Sequence, residues 1–114
     1  MLVVSDKISL NELKEMSEKM FGSIVKVVVD IEKEIMVVDA DLHSDEEYLL
    51  LDQGSKQQNL WGINLYPDKF EEEGWIEFDS MINLRPSWGN KTRGVDDSSL
   101  QEKIKAIVNK LVEK

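Results

Sequence analysis

The chain has 114 residues, of which 41% are hydrophobic and 32% charged, the size and balance of one globular domain rather than of a disordered or membrane-spanning chain. It has no cysteine, which excludes a disulfide framework, a thiolate metal site and a cysteine nucleophile. Its 23 acidic residues against 14 basic ones give a net charge of −9. A field of that sign repels nucleic-acid phosphates and acidic lipid, so neither nucleic acid nor a membrane is an expected partner. Taken alone, the charge speaks first for solubility.

Met1-Leu2-Val3-Val4 is too short for a signal peptide and lacks its basic flank. With the missing cysteine this predicts a cytoplasmic protein. Residues 1–4 predict a short edge strand. Ser9 and Glu12 have the spacing of a capping box, in which each side chain bonds the other's free backbone N–H. They open a helix with Leu10, Leu13, Met20 and Phe21 on one stripe and Gly22 as its stop. Val25, Val27, Val29 and Ile31 alternate, then Ile35 and Val37, which predicts a β-hairpin whose turn lacks Gly and Asn.

Ser44 and Glu47 suggest a second capping box and a short helix through Leu49, Leu50 and Leu51 to about Gly54. Trp61, Ile63 and Leu65 alternate and place Trp61 in the core. Ile76, Phe78, Ser80, Ile82 and Leu84 predict one long strand ending at Pro86. Ser98 with Gln101, or Ser99 with Glu102, would cap the last helix, whose stripe is Leu100, Ile104, Ile107, Val108, Leu111 and Val112. The expected fold is α+β: a mainly antiparallel sheet of four to five strands with three amphipathic helices, in the order (β)αββαββα. Two helices fill one face of such a sheet, and the third must lie at an edge or on the second face. No linker or repeat divides residues 1–114, so a single domain is expected.

The segments VVDIEKEIM, LHSDEEYLLLDQGSKQQNLWGINLYP and IEFDSMINLRPSWGNKTRGVDD resemble a family of short bacterial and archaeal proteins known as a domain of unknown function. The resemblance runs from the first helix to the last. It implies a stand-alone cytoplasmic domain and carries no catalytic residue across.

Three constellations could carry chemistry. Asp39, Asp41 and His43 share one side if that stretch is extended, a ligand set suited to a divalent ion such as Mn, Mg, Fe or Zn, with Glu77 or Asp79 joining from a neighbouring strand. The alternative is a solvated strand-to-helix connection. The loop after the long strand gathers Arg85, Lys91 and Arg93 around Trp88, Gly89, Asn90 and Gly94, which would suit a small anionic ligand. The alternative is an ordinary loop with surface ion pairs. Finally, Trp75, Glu77, Asp79, Met81, Asn83 and Arg85 would share the far face of the long strand, with Gly62, Asn64 and Tyr66 beside them. That is a polar floor for a ligand, or a solvated face with cross-strand pairs.

With one histidine and no cysteine, no nucleophile–base–orienter set is evident. The reading favoured is a non-enzymatic binding or protein-interaction module, expected to form a homodimer through the face carrying Trp75 and Met81. The alternative is a small divalent-metal-assisted hydrolase acting on a phosphate or carboxylate substrate. In it Asp39, Asp41, His43 and Asp79 hold the ion, while Arg85 and Arg93 steady the developing charge. A third reading, an acidic mask for a basic protein such as a nuclease toxin, rests on net charge alone.

Overall fold

The computed structural model describes residues 1–114. In chain order the elements are β1 (Leu2–Val4), β2 (Ile8–Ser9), α1 (Leu10–Met20), β3 (Val25–Asp30), β4 (Ile35–Val38), α2 (His43–Asp52), β5 (Leu60–Leu65), β6 (Ile76–Glu77), α3 (Ser98–Leu111) and β7 (Val112–Glu113). A five-stranded sheet runs β1-β4-β3-β5-β6, with every neighbouring pair antiparallel. The α+β class and the three helices are as the periodicities predict. One element they do not predict is a two-stranded parallel pair, β2 with β7, which ties the start of α1 to the end of α3. No helix is long and apolar enough to cross a membrane.

The β3 sequence explains the layering. Val25, Val27 and Val29 point to one face and pack with Leu10 and Leu13 of α1 and Ile104, Ile107, Val108 and Leu111 of α3. Val28 points the other way and packs with Val37, Leu60 and Leu50 of α2. Two helices thus fill the first face, and the third covers part of the second. Met20 and Phe21, expected on the buried stripe of α1, are instead exposed at its end.

The capping box at Ser9 and Glu12 forms as expected. The other two do not. The residue before α2 is Leu42, with no side-chain cap. At α3 the cap is Asp97, whose Oδ1 accepts from the backbone of Ser99 and Leu100. The β3–β4 turn manages without Gly or Asn because buried Asp30 accepts the N–H groups of Glu32 and Lys33, with Glu34 in the left-handed region at φ 56°.

The long strand expected over residues 76–84 is corrected: only Ile76 and Glu77 are strand. Ser80 accepts the Ile82 N–H through its hydroxyl and starts a 3-10 turn over Met81–Asn83. The alternation therefore stops at Glu77. Trp75 falls into the main core, its Nε1 donating to Asn109, whereas Met81 is exposed. The face on which a dimer was expected does not exist as a continuous strand surface.

Glu46 lies one turn before Leu50 on the sheet-facing side of α2. It is fully buried, and neither carboxyl oxygen has a partner. Burial pushes its pKa from 4.5 up to about 10, so the folded state holds it protonated. Near neutral pH the unfolded chain has released that proton and the folded chain must take it back. The carboxyl's contribution to stability is complete below about pH 4.5 and is lost progressively as the pH rises towards 10. Glu46→Met should flatten that slope and raise stability near neutral pH by on the order of 3 kcal/mol, at about 1.36 kcal/mol per pH unit. Denaturant melts of both proteins at several pH values check this. Gly62→Ala should act oppositely. Its Cβ would stand 2.5 Å from Ser80 Cβ and Oγ, and an overpacked contact of that kind costs about 1–3 kcal/mol, visible in the same melts.

Candidate functional site

Strand register builds a polar row across the second sheet face. Lys26 of β3 pairs with Asn64 of β5, and Asn64 pairs with Glu77 of β6. Lys26 interrupts the apolar run of β3 on the side opposite Val25 and Val27, so it points away from the main core. α2 covers this face only as far as its first residue, His43. Beyond it lies a cleft of about 490 Å³ lined by Lys26, His43, Asn64, Tyr66, Glu77, Asp79, Ser80 and Arg93, among others.

The floor of the cleft is held by its own hydrogen bonds. Glu77 Oε1 accepts from Asn64 Nδ2 at 2.8 Å and from the Tyr66 hydroxyl at 3.1 Å. Asn64 Nδ2 also donates to the Asp79 carbonyl at 3.2 Å. Asn64 Oδ1, on a residue only 6% exposed, has no partner. Burial, then the hydrogen bond to Glu77, raises the Tyr66 pKa above its ordinary value, so the phenol stays protonated. On the wall, His43 Nε2 lies 2.8 Å from the Ile63 carbonyl oxygen. A carbonyl only accepts, so Nε2 carries the proton. Burial, helped by Lys26, lowers the His43 pKa more than the Ile63 bond and a weaker contact with the Asn64 side chain raise it, which leaves a neutral ring with an unprotonated Nδ1. At the rim Arg93 Nε donates to Asp79 Oδ1 at 2.8 Å, both side chains being about half exposed.

The cleft therefore unites residues that the sequence assigns to three separate constellations: His43; Asn64, Tyr66, Glu77 and Asp79; and Arg93. It also adds Lys26 and Ser80, which sequence reasoning passes over. For Lys26 the signal was present, a charge within a valine run.

Other candidates go elsewhere. Asn83 and Asn90 are buried, and their amides organise the loop. Asn83 Oδ1 accepts the Gly62 N–H at 2.8 Å, while its Nδ2 donates to the carbonyls of Gly62 and Arg93, each at 2.9 Å. Asn90 Nδ2 donates to the carbonyls of Asn83, Thr92 and Gly94, and its Oδ1 accepts the Asp96 N–H. Lys91 is exposed, its backbone N–H donating to Asp96. Arg85 is buried between the rings of Trp61 and Trp88, 4.7 and 5.7 Å from their centroids, and 3.7 Å from Glu47. Arg85 and Arg93 line different cavities, so the basic residues of the loop do not form one anion cradle.

The proposed ligand set of Asp39, Asp41 and His43 is not drawn together. Asp39 is left-handed at φ 70°, which breaks the period-two alternation, and His43 is already helical. No three His, Asp or Glu residues are grouped so that they could hold an ion.

Comparison with known proteins gives a family and no activity. Neither the curated proteins nor the solved structures contain a match to this chain. One family model matches residues 2–111, nearly the whole chain, and its description is a protein of unknown function. The chain belongs to that family, DUF5674.

Proposed function

We propose that the domain is a small-molecule-binding module and that its ligand occupies the polar cleft on the second sheet face. The observation that carries this reading is Asn64 Oδ1. It is a buried acceptor with no well-formed hydrogen bond, only a weak contact with the His43 ring, and it is fixed in place by the bonds that Asn64 Nδ2 makes to Glu77 and Asp79. An orphaned polar atom in a preorganised cleft is what a ligand's hydrogen-bond donor would satisfy.

The charges around the cleft suggest what fits. Lys26 and Arg93 oppose Glu77 and Asp79, and His43 is neutral. Asn64 Oδ1, His43 Nδ1 and the second Glu77 oxygen offer acceptors, while Lys26 and the outer nitrogens of Arg93 offer donors. A neutral or zwitterionic polar molecule with N–H or O–H groups suits this better than a simple anion. The metal-hydrolase reading has less support, because Asp39 and Asp41 do not line the cleft with His43.

The test is thermal melting against free amino acids, polyamines, sugars and nucleosides. A ligand at about 100 times its Kd adds about 2.7 kcal/mol to a folded state that alone binds it, a shift of several degrees. The expected result is at least one such compound whose shift is abolished by Glu77→Gln and by Arg93→Ala. Shifts that survive both substitutions would move the site out of the cleft.

A further inference from the structure

Three buried nitrogen donors elsewhere in the molecule have no acceptor, Nδ2 of Asn59, Nη1 of Arg85 and Nε1 of Trp61, and the last two belong together. Arg85 and Trp61 are 8% and 7% exposed. Both residues line the same small cavity, about 210 Å³, which is completed by Gln58 and Trp88. The rest of the Arg85 fork is engaged. Nε donates to the Ile82 carbonyl at 2.9 Å, and Nη2 donates to the Leu60 carbonyl. Only Nη1 is left over, on a guanidinium whose carbon lies 4.7 Å from the centroid of the Trp61 ring, and the indole N–H of that ring is left over too.

We propose that this cavity is a binding site for a small carboxylate, one oxygen accepting from Arg85 Nη1 and the other from Trp61 Nε1. Both groups are donors only. Each unpaired buried donor costs about 1–3 kcal/mol, so an acceptor that meets both has a large penalty to relieve. Burial lowers the Arg85 pKa more than Glu47 raises it, but a guanidinium begins so high that it stays charged near neutral pH, and its fork geometry matches a carboxylate. Glu47 Oε2, itself buried without a donor, stands 3.7 Å from Arg85 Nη2, too far for a hydrogen bond, so it leaves the cationic charge only partly balanced. Glu47 together with the net charge of −9 disfavours a dianion such as phosphate. The volume takes an acetate-sized head with a small body and excludes a nucleotide.

Trp88 is the cover. It is 56% exposed and sits on a 3-10 turn that ends at Gly89 with φ 88°. It stacks on Arg85 without burying itself, so the indole can swing aside to admit the guest. Trp61, by contrast, is a fixed wall of β5. This site is separate from the polar cleft and does not depend on what occupies that cleft.

Tryptophan fluorescence reads the site, because Trp61 and Trp88 line it while Trp75, in the same main core as Trp61, does not. The full chain is titrated with acetate, propionate and benzoate at constant ionic strength, against chloride, acetamide and benzamide. The expected result is a saturable change with at least one carboxylate and none with chloride or the amides. Trp61→Phe keeps an aromatic wall and removes the N–H along with part of the indole, with Trp88 still reporting. It should weaken binding roughly tenfold, the effect of one charge-assisted hydrogen bond. Arg85→Lys keeps the charge and loses the fork, and should abolish binding in a protein whose far-ultraviolet circular dichroism is unchanged. Equal binding of the amides, unchanged affinity in Trp61→Phe, or no saturable response to any carboxylate would each overturn the proposal.

Discussion

The structure around both candidate sites depends on one side-chain amide. β6 ends at Glu77, so the outer edge of β5 at Gly62 faces no strand. Asn83 fills the gap. Its amide accepts from the Gly62 N–H and donates to the Gly62 carbonyl, as a neighbouring strand residue would. Left unpaired, those buried groups would cost about 1–3 kcal/mol each. The same amide reaches the Arg93 carbonyl, and Asn90 holds the Asn83 carbonyl from behind. Through these bonds the segment from Ser80 to Gly94 is fastened to the sheet. Arg93 is thereby placed at the cleft, and Arg85 between the two indoles. Gly62 has to be glycine for this arrangement, since Ser80 occupies the space its Cβ would need.

The fastening divides the loop's polar residues into two kinds. Asn83 and Asn90 spend their amides on backbone and are closed to ligands. Arg93 keeps its outer nitrogens free, and Arg85 keeps one. The same contrast appears in the carboxylates. Asp30 is buried but accepts from two backbone N–H groups and the Ser55 hydroxyl, so it holds a turn. Glu46 is buried with no partner and stays protonated. Stability is surrendered at Glu46, and unpaired polar atoms are kept at Glu47, Asn59, Asn64, Trp61 and Arg85. Of the residues that keep them, all but Asn59 line cavities, which is why function is sought there.

Much of this was legible in the residues. Alternation in β3, β4 and β5, the α3 stripe and the Ser9–Glu12 box follow from local periodicity and capping, which depend on neighbours in sequence. Asn64, Tyr66 and Glu77 were readable as one polar floor because register on a sheet is also periodic. What failed depended on distant partners. Asn83 and Asn90 look like ligand residues in a glycine-containing loop. Nothing nearby in sequence shows that the Asn83 amide completes a strand edge 21 positions away. The alternation of Ile76 to Leu84 mimics a strand, and only the Ser80 side chain, bonding Ile82, ends it. The Asp39–Asp41–His43 set assumed an extended backbone that a left-handed Asp39 does not provide.

The measurement that tests this account most directly is native-state amide hydrogen exchange at Gly62, read by NMR in the unaltered protein and in Asn83→Ala. If Asn83 completes the sheet edge, the Gly62 amide is strongly protected in the first and exchanges orders of magnitude faster in the second. The amides of the β3–β5 ladder keep their protection throughout. Equal protection of Gly62 in both proteins would contradict the account, because the loop that shapes both sites would then be held on β5 by something other than the Asn83 amide.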